Sequence, residues 1–247
     1  MPIIYETRGK AREYSELAAN LYAGCGHGCT YCYAPSATFK NRDVFYNEPK
    51  CRKNVLKEFT KDCIKLKKVN DPRPVLLSFT TDPYQPIDVT EKLTRRAIQC
   101  LDEHGLSVSV LTKGGRRSER DFGLLMNMGT RATYGATLVF TDDEMRQEIE
   151  PNAAPTKERI ESLELAHSMG ISTYVSLEPV WDPEQTMDLI EATVGFVDFY
   201  KVGKLNYSPV AKTIDWKEFG FAAKELLESY NAKYYLKNDL RKCMGIE

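Results

Sequence analysis

The chain has 247 residues, of which 42% are hydrophobic and 28% are charged, a composition typical of a globular protein of one large domain or two small ones. Its 34 Lys and Arg against 35 Asp and Glu give a net charge of −1, which excludes a positive field over the whole protein, although not a local basic patch. No apolar run reaches the length of a membrane span, and the N-terminal MPIIYETRGK lacks the apolar segment of a secretory signal, so we expect a cytoplasmic protein without membrane contact.

Short segments rich in β-branched and aromatic residues predict strands, and they alternate along the chain with segments of helical periodicity. The predicted strands span residues 20–24, 75–81, 106–112, 130–140, 171–178 and 196–202. The predicted helices span residues 52–67, 90–104, 117–128, 156–169, 183–193 and 215–230. Gly105, Gly129, Gly170 and Gly195 each stand between a helix and the next strand, where a left-handed residue commonly ends a helix.

This alternation indicates parallel βαβ units. We therefore predict an α/β fold, a partial (β/α)6 TIM-type barrel with parallel strands; a doubly wound open sheet is the alternative. No linker divides the chain, so we expect a single domain over residues 1–247, in which residues 204–247 complete or cover the barrel. Because ligands bind at the C-terminal ends of the strands in such folds, the segments that follow the strands are expected to form one binding face.

Three cysteines lie close together in the segment AGCGHGCTYCYAPS, residues 23–36, with the spacing Cys-x3-Cys-x2-Cys. The chain has seven cysteines, and an odd number without an export signal favours thiols that bind metal over structural disulfides. Thiolates of Cys25, Cys29 and Cys32 are suited to an iron–sulfur cube in which one iron stays open for another ligand. A structural zinc site would need a fourth ligand, for which His27 is the candidate, and a redox dithiol would leave Cys25 unexplained.

The spacing, with the aromatic Tyr31 before the third cysteine, is similar to the signature of the radical S-adenosylmethionine enzymes. The resemblance implies a 4Fe-4S cluster on Cys25, Cys29 and Cys32 that binds S-adenosylmethionine and cleaves it reductively to a 5′-deoxyadenosyl radical. This radical would abstract hydrogen from a substrate. A partner that supplies the electron, such as flavodoxin or ferredoxin, is implied as well.

A wider resemblance over most of residues 19–180 is to the spore photoproduct lyase-like branch, the DNA repair photolyase-like proteins. It is carried by CGHGCTYCYAP, FTTDPYQPID, LTKGG and TLVFTDDEMRQEIEPNAAPTKERIESLELAHSMGI. The resemblance assigns contacts with S-adenosylmethionine to Thr81, Asp82 and Lys113, and packing near its adenine to Tyr31. The alternatives are a turn that begins at Asp82 and a solvated Lys113.

Two further polar residues at predicted strand ends are candidates for cofactor binding. Thr137 lies in the fourth predicted strand, where it would face the cofactor or serve as an ordinary strand residue. Glu178 ends the fifth predicted strand and would accept a hydrogen bond from a ribose or a substrate; the alternative is a surface glutamate.

The substrate and the reaction class, lyase or transferase, stay open at this stage. DNA, RNA, a peptide or a small metabolite are all compatible with the sequence, and a non-catalytic zinc-binding protein is the alternative outside the enzymes. Arg116, Arg117 and Arg120 follow the segment TKGG and are candidates for contact with an anionic substrate.

Phe79 distinguishes this chain from the spore photoproduct lyases it resembles. Those enzymes carry at this place a cysteine that returns a hydrogen atom to the product radical, which phenylalanine cannot do. We therefore expect the cofactor chemistry and the fold to be shared, but not the photoproduct substrate. Tyr84 and Tyr134 are candidates for the pair of tyrosines that relays hydrogen in the lyases.

Cysteines outside the cluster segment have no assigned chemistry. Cys63 and Cys100 fall on the apolar faces of predicted helices and are expected in the core. Cys51 is expected at the start of a helix, and Cys243 near the C-terminus.

Overall fold

The buried apolar segments form strands in the computed structural model, which describes residues 2–246. The strands are β1 (Ile4–Glu6), β2 (Leu17–Ala19), β3 (Tyr22–Ala23), β4 (Lys50–Cys51), β5 (Val75–Leu77), β6 (Val108–Thr112), β7 (Ala132–Thr137), β8 (Ser172–Val180), β9 (Phe199–Lys204) and β10 (Tyr234–Leu236). The α-helices are α1 (Ala34–Ala37), α2 (Arg42–Asn47), α3 (Val55–Lys68), α4 (Asp88–Glu91), α5 (Leu93–Glu103), α6 (Phe122–Met128), α7 (Asp143–Ile149), α8 (Thr156–Ser168), α9 (Pro183–Thr193), α10 (Trp216–Ser229) and α11 (Asn238–Met244). No helix among these residues is long and apolar enough to cross a bilayer.

Eight strands form the central sheet, in the order β1-β2-β5-β6-β7-β8-β9-β10. β1 is antiparallel to β2, and every other neighbouring pair is parallel. The order follows the chain without a reversal, as in a (β/α) barrel, whereas a doubly wound sheet reverses at a switch point. The predicted partial TIM-type barrel is therefore confirmed, with seven parallel strands instead of six.

The additional parallel strand is β10, and the antiparallel β1 at the other edge of the sheet was not predicted either. β1 and β10 have three residues each, too few to show a period in the sequence. The first parallel strand is Leu17–Ala19, so the prediction of residues 20–24 was wrong. Tyr22 and Ala23 leave the central sheet because they pair with Lys50 and Cys51. Cys51 accordingly lies in a strand and does not begin a helix.

Helix starts were predicted a few residues early in three cases. The helices predicted from residues 52, 90 and 117 begin at Val55, Leu93 and Phe122. Lys92 is left-handed (φ +50°) and separates α4 from α5, and residues 115–121 form a 3₁₀ helix before α6. The prediction of a left-handed residue was correct at Gly105, Gly129 and Gly170, but wrong at Gly195, since α9 ends in right-handed backbone at Val194.

The core supports the interpretation of the two helical cysteines. Cys63 is fully buried on α3 together with Phe59, and Cys100 on α5 packs half-buried against the same core. On β6, Val108, Val110 and Thr112 are buried and alternate with half-buried residues, because successive side chains of a strand point to opposite faces of the sheet.

A segment between β1 and β2, residues 8–14, connects the two ends of the open sheet. The carboxylate of Glu13 accepts hydrogen bonds from the Asn238 backbone amide (2.7 Å) and from the Tyr235 hydroxyl (3.0 Å). The ammonium of Lys201 on β9 donates to the backbone carbonyls of Glu13 (3.1 Å) and Tyr14 (2.8 Å). These contacts hold the first strands against β9, β10 and α11, and other side chains of the segment line the cavity described below.

Candidate functional site

Cys25, Cys29 and Cys32 line one cavity of about 480 Å³, together with side chains that follow the parallel strands. Cys25 and Cys29 are buried and Cys32 is half-buried. Burial raises the pKa of the Cys25 thiol to about 12 and also raises the pKa values of Cys29 and Cys32, because a thiolate is poorly solvated there. Thiolates at these positions would therefore need a positively charged metal centre as partner.

The arrangement of the thiols suits a cluster better than a single ion. Among residues 2–246, no three His, Cys, Asp or Glu side chains converge closely enough to hold one metal ion. A structural zinc ion requires four such ligands. An iron–sulfur cube instead presents a separate iron to each thiolate, so three spaced thiols around one cavity fit it.

The cluster loop, residues 23–36, is held from two sides. The fully buried side chain of Gln85 accepts from the Gly26 amide (2.8 Å) and donates to the Gly24 carbonyl (3.1 Å). On the other side, α2 supplies the Tyr46 hydroxyl, which donates to the Cys29 carbonyl (2.9 Å), and the Arg42 guanidinium, which donates to two carbonyls of the loop. These contacts fix the backbone that carries the thiols.

Gly24 allows the loop to approach α2 closely. Its φ is +105°, and a Cβ there would lie 2.7 Å from the carbonyl oxygen of Phe45. The Cys25 amide donates to that same carbonyl (2.9 Å). Glycine is therefore required before the first cysteine on both steric and conformational grounds.

A buried ion pair lies behind the loop, between Glu150 and Arg159. Both side chains are fully buried, and Nη2 of Arg159 is 2.6 Å from Oε2 of Glu150. The other carboxylate oxygen accepts the hydroxyl hydrogen of Tyr31. Nε and Nη1 of Arg159 donate to the carbonyls of Ala154 (2.8 Å) and Thr137 (3.0 Å). Burial alone would raise the pKa of Glu150, but the positive charge of Arg159, with that of Lys113, outweighs it and lowers the pKa.

Backbone hydrogen bonds join the segment around Glu150 to the same loop. The Thr30 amide donates to the Ile149 carbonyl (2.9 Å), and the Asn152 amide donates to the His27 carbonyl (3.1 Å). Sequence reasoning included Glu150 and Arg159 in a matched segment without giving either a role. Charged residues are ordinarily solvated, so nothing in the neighbouring sequence indicates that Glu150 and Arg159 are buried.

His27 lies inside the site, but its ring already contacts two protein side chains. It is 2% exposed, its Nε2 accepts from Nη2 of Arg117 (2.9 Å), and its Nδ1 lies 3.5 Å from the Asp82 carboxylate. Burial lowers the pKa of His27 to about 4, so the ring is neutral at pH 7 and accepts the guanidinium hydrogen. The ring thus links the cluster loop to the 3₁₀ helix 115–121.

All six residues that were predicted to contact the cofactor line one cavity. The cavity is lined by Tyr31, Thr81, Asp82, Lys113, Thr137 and Glu178. The hydroxyl of Thr81 is buried without a hydrogen-bond partner among residues 2–246, and so is that of the neighbouring lining residue Ser78. Orphaned hydroxyls in a cavity wall are ready to bind a polar ligand.

Asp82 has its carboxylate occupied within the protein. It accepts from the backbone amides of Tyr84 (2.8 Å) and Lys113 (2.7 Å) and from the Thr112 hydroxyl (2.6 Å). It therefore joins the end of β5 to the end of β6 and places Lys113, whose Nζ lies 3.9 Å from Oε1 of Glu150.

Glu178 lies in the cavity wall and is not a surface residue. Its Oε2 accepts from the Tyr14 hydroxyl (2.5 Å) and from Nζ of Lys237 (2.7 Å). Lys237 also lies over the Tyr14 ring, 4.5 Å from its centroid. The carboxylate is neutralised by a buried lysine that sequence reasoning did not single out.

The arginines expected to meet an anionic substrate do not line the cavity. Arg116 pairs with Glu161, Arg117 binds His27, and Arg120 pairs with Asp88. The structure therefore does not place them in the cavity, since residues 115–121 form a 3₁₀ helix in which Arg117 and Arg120 have buried partners and Arg116 pairs with Glu161 at the surface. Arg8, Lys10 and Lys204 line the cavity instead.

Phe79 does line the cavity, and its ring centroid lies 6.0 Å from those of Tyr14 and Tyr33. Tyr84 and Tyr134 are fully buried outside the lining. Their hydroxyls bond to Asp121 (3.1 Å) and Ser118 (2.8 Å). Neither of these two tyrosines is placed to pass hydrogen into the cavity.

The family follows from comparison of the sequence with known proteins. The profile described as "Radical SAM superfamily" matches residues 19–197, which include the three cysteines and five of the six expected strands in full. The chain belongs to the radical SAM superfamily. An uncharacterized protein of Methanocaldococcus jannaschii is 30% identical over 78% of this chain and 71% of its own length. An uncharacterized protein of Mycobacterium tuberculosis is 26% identical over 65% of this chain.

Solved structures share the fold of this radical SAM protein at low identity. A spore photoproduct lyase variant superposes with a TM-score of 0.71 at 12% identity, covering 94% of this chain and 79% of the lyase. SuiB of Streptococcus suis bound to S-adenosylmethionine superposes with a TM-score of 0.66 at 12% identity, covering 92% of this chain. The match spans 51% of SuiB and 48% of the mycobacterial protein, so about half of each lies outside it.

Replacement of Arg159 by Met is expected to destabilise the protein by about 3–5 kcal/mol, because it leaves the Glu150 carboxylate buried without its partner. Arg116→Met is the matched control, since the pair of Arg116 with Glu161 is exposed and such a pair contributes at most about 1 kcal/mol. Urea unfolding of both full-length variants measures the difference. Equal losses of stability would show that the buried pair does not hold the site.

Proposed function

We propose that this protein is a radical S-adenosylmethionine enzyme that abstracts a hydrogen atom from an organic substrate held in the cavity. The observation that carries the proposal is the set of three thiols around one cavity, in a chain of the radical SAM superfamily. When bound, a 4Fe-4S cluster would supply the electron that cleaves S-adenosylmethionine to the 5′-deoxyadenosyl radical. Cys25, Cys29 and Cys32 are the residues that would hold it.

The cavity offers complementary groups for S-adenosylmethionine beside the thiols. The ammonium of Lys113 projects toward Tyr31, 5.6 Å from its ring centroid, and would pair with the cofactor's carboxylate. The unpartnered hydroxyls of Ser78 and Thr81 would bind polar groups of the cofactor. Tyr31, held by Glu150, would provide an apolar surface for the adenine.

Thr137 and Glu178 complete the proposed cofactor end in different ways. Thr137 is buried at the end of β7, and its carbonyl is fixed by Arg159. Glu178 would accept from a ribose or substrate hydroxyl through the oxygen that Tyr14 and Lys237 leave open. Asp82, whose oxygens are already used, would position Lys113 without touching the cofactor.

A low-potential electron donor is required by this chemistry, and we propose flavodoxin or ferredoxin in the cytoplasm. The loop that carries the cysteines reaches the surface at Tyr33, which is 45% exposed, so the electron has a short path to the cluster. The substrate is expected to differ from a thymine photoproduct, because Phe79 offers no labile hydrogen in the cavity.

Anaerobic reconstitution is expected to load about four irons per chain, and the reduced protein should convert S-adenosylmethionine to 5′-deoxyadenosine. Cys25→Ala, Cys29→Ala and Cys32→Ala should each abolish both, whereas Cys243→Ala should not. Iron analysis and chromatography of the nucleoside measure the outcome. Uptake of one zinc per chain without iron would support the zinc-binding alternative and contradict the proposal.

Lys113→Ala is expected to weaken the binding of S-adenosylmethionine roughly tenfold to hundredfold, the effect of removing a charge-assisted contact with its carboxylate. Lys157→Ala is the control, because that side chain is 86% exposed and does not line the cavity. Equilibrium binding to the reconstituted proteins tests this. Unchanged affinity in a Lys113→Ala protein with normal iron content would show that Lys113 does not contact S-adenosylmethionine.

Reduced enzyme supplied with DNA that contains the thymine photoproduct is expected not to restore thymine catalytically, since Phe79 replaces a hydrogen donor. Chromatography of digested DNA measures thymine, and cleavage of S-adenosylmethionine in the same sample shows that the enzyme is active. Repair over many turnovers would overturn the expectation. It would point to another donor such as Cys243, whose sulfur lies 3.5 Å from Nζ of Lys204 behind the cavity wall.

A further inference from the structure

The lining of the cavity comes from two parts of the chain. The three cysteines lie within the family match, residues 19–197. Arg8, Lys10, Lys204 and Tyr207 also line the cavity, and these four residues, here named the cavity mouth, lie outside that match. Residues outside the match are candidates for recognition that is particular to this protein.

The mouth carries more positive than negative charge. Lys10 forms an ion pair with Asp239, and the charge of Lys204 also acts on that carboxylate. Arg8 and Lys204 have no carboxylate within 4.0 Å among residues 2–246. Nζ of Lys204 lies 3.5 Å from the Cys243 sulfur and 5.3 Å from the centroid of the Trp216 ring, and it would turn from these contacts to meet a ligand. Glu178 also lines the cavity, but Lys237 neutralises it, so the three cations and the one carboxylate of Asp239 leave two positive charges, in a protein whose net charge is −1. Such a local excess favours a ligand with two negative charges.

The cavity mouth also includes an aromatic ring that is exposed to solvent. Tyr207 is 93% exposed, and its backbone is left-handed with a φ of +60°, which is uncommon for a residue other than glycine. Nζ of Lys10 lies 5.8 Å from the centroid of this ring. An exposed aromatic in a sparsely populated backbone conformation, next to a cation, is a feature of binding sites.

We propose that the cavity mouth binds the phosphate monoester group of a substrate that also carries a planar ring. The guanidinium of Arg8 and the ammonium groups of Lys10 and Lys204 pair with the dianionic phosphate, and the ring packs on Tyr207. A monocarboxylate would leave one of the two excess charges unpaired, and a phosphodiester likewise has one charge. The inference rests on the proposed function only in that it identifies the substrate of the same cavity.

Phenyl phosphate is a probe that has both groups, and at pH 8 it carries two negative charges. We expect it to bind the reconstituted protein more tightly than benzoate or benzyl alcohol do, in isothermal titrations at low salt. Arg8→Gln and Lys204→Gln should each weaken it by roughly threefold to thirtyfold. Lys212→Gln, an exposed cation on the next segment that does not line the cavity, should leave the affinity unchanged.

The role of the ring is tested separately. Tyr207→Ser should weaken phenyl phosphate but not inorganic phosphate, and Tyr230→Ser, a half-exposed tyrosine after α10, should change neither. Iron content of each variant confirms that it has folded.

The proposal is overturned if benzoate or a short single strand of DNA binds as tightly as phenyl phosphate, or if wild type does not bind phenyl phosphate. It is also overturned if Arg8→Gln and Lys204→Gln bind like Lys212→Gln. Failure of the proposed function would look different, because S-adenosylmethionine would not be cleaved while phenyl phosphate still bound in the manner described.

Discussion

The geometry of the site depends on the buried ion pair of Glu150 and Arg159. Removing two charges from water is costly, and a buried pair offsets that cost only when its other hydrogen-bonding atoms are also satisfied. Here the carboxylate accepts from Tyr31 and the guanidinium donates to the carbonyls of Thr137 and Ala154. Because these bonds are directional, they fix the end of β7, the start of α8 and the cluster loop relative to one another. Apolar packing would tolerate small rotations of Tyr31.

The segment 8–14 gives the open barrel a second fixed boundary. The ammonium of Lys201 is bound by two backbone carbonyls, and burial, with the neighbouring charge of Lys237, lowers the pKa of Lys201 to about 8. A buried lysine without a direct carboxylate partner contributes little to stability, so its effect is mainly positional. It places Tyr14 against Glu178, where the wall of the cavity changes from residues of the family match to residues outside it.

Features encoded over short stretches of sequence were predictable, and features encoded by distant contacts were not. The spacing of the cysteines is local, and so is the start of α9, which was predicted at residue 183 and begins at Pro183 after the N-cap Asp182. Six parallel strands in chain order follow from the alternation of elements, whereas the three-residue β10, the seventh parallel strand, does not. Arg159, by contrast, reads as a solvated helix charge, and the contact of Lys237 with Glu178 joins residues 59 apart. No periodicity shows such pairings.

The cations near the cysteines and those at the mouth have different electrostatic effects. Lys113 lowers the pKa values of Cys29 and Cys32 against the effect of burial, and Arg42 acts in the same direction on Cys32. A positive charge that favours a thiolate also favours the addition of an electron to a centre bound by thiolates. The cations at the mouth lie in more exposed positions, where salt screens them, so they act on an arriving anion over a short range. The proposed reduction of the cluster and the proposed capture of an anion would therefore depend on separate sets of cations, in a protein with almost no net charge.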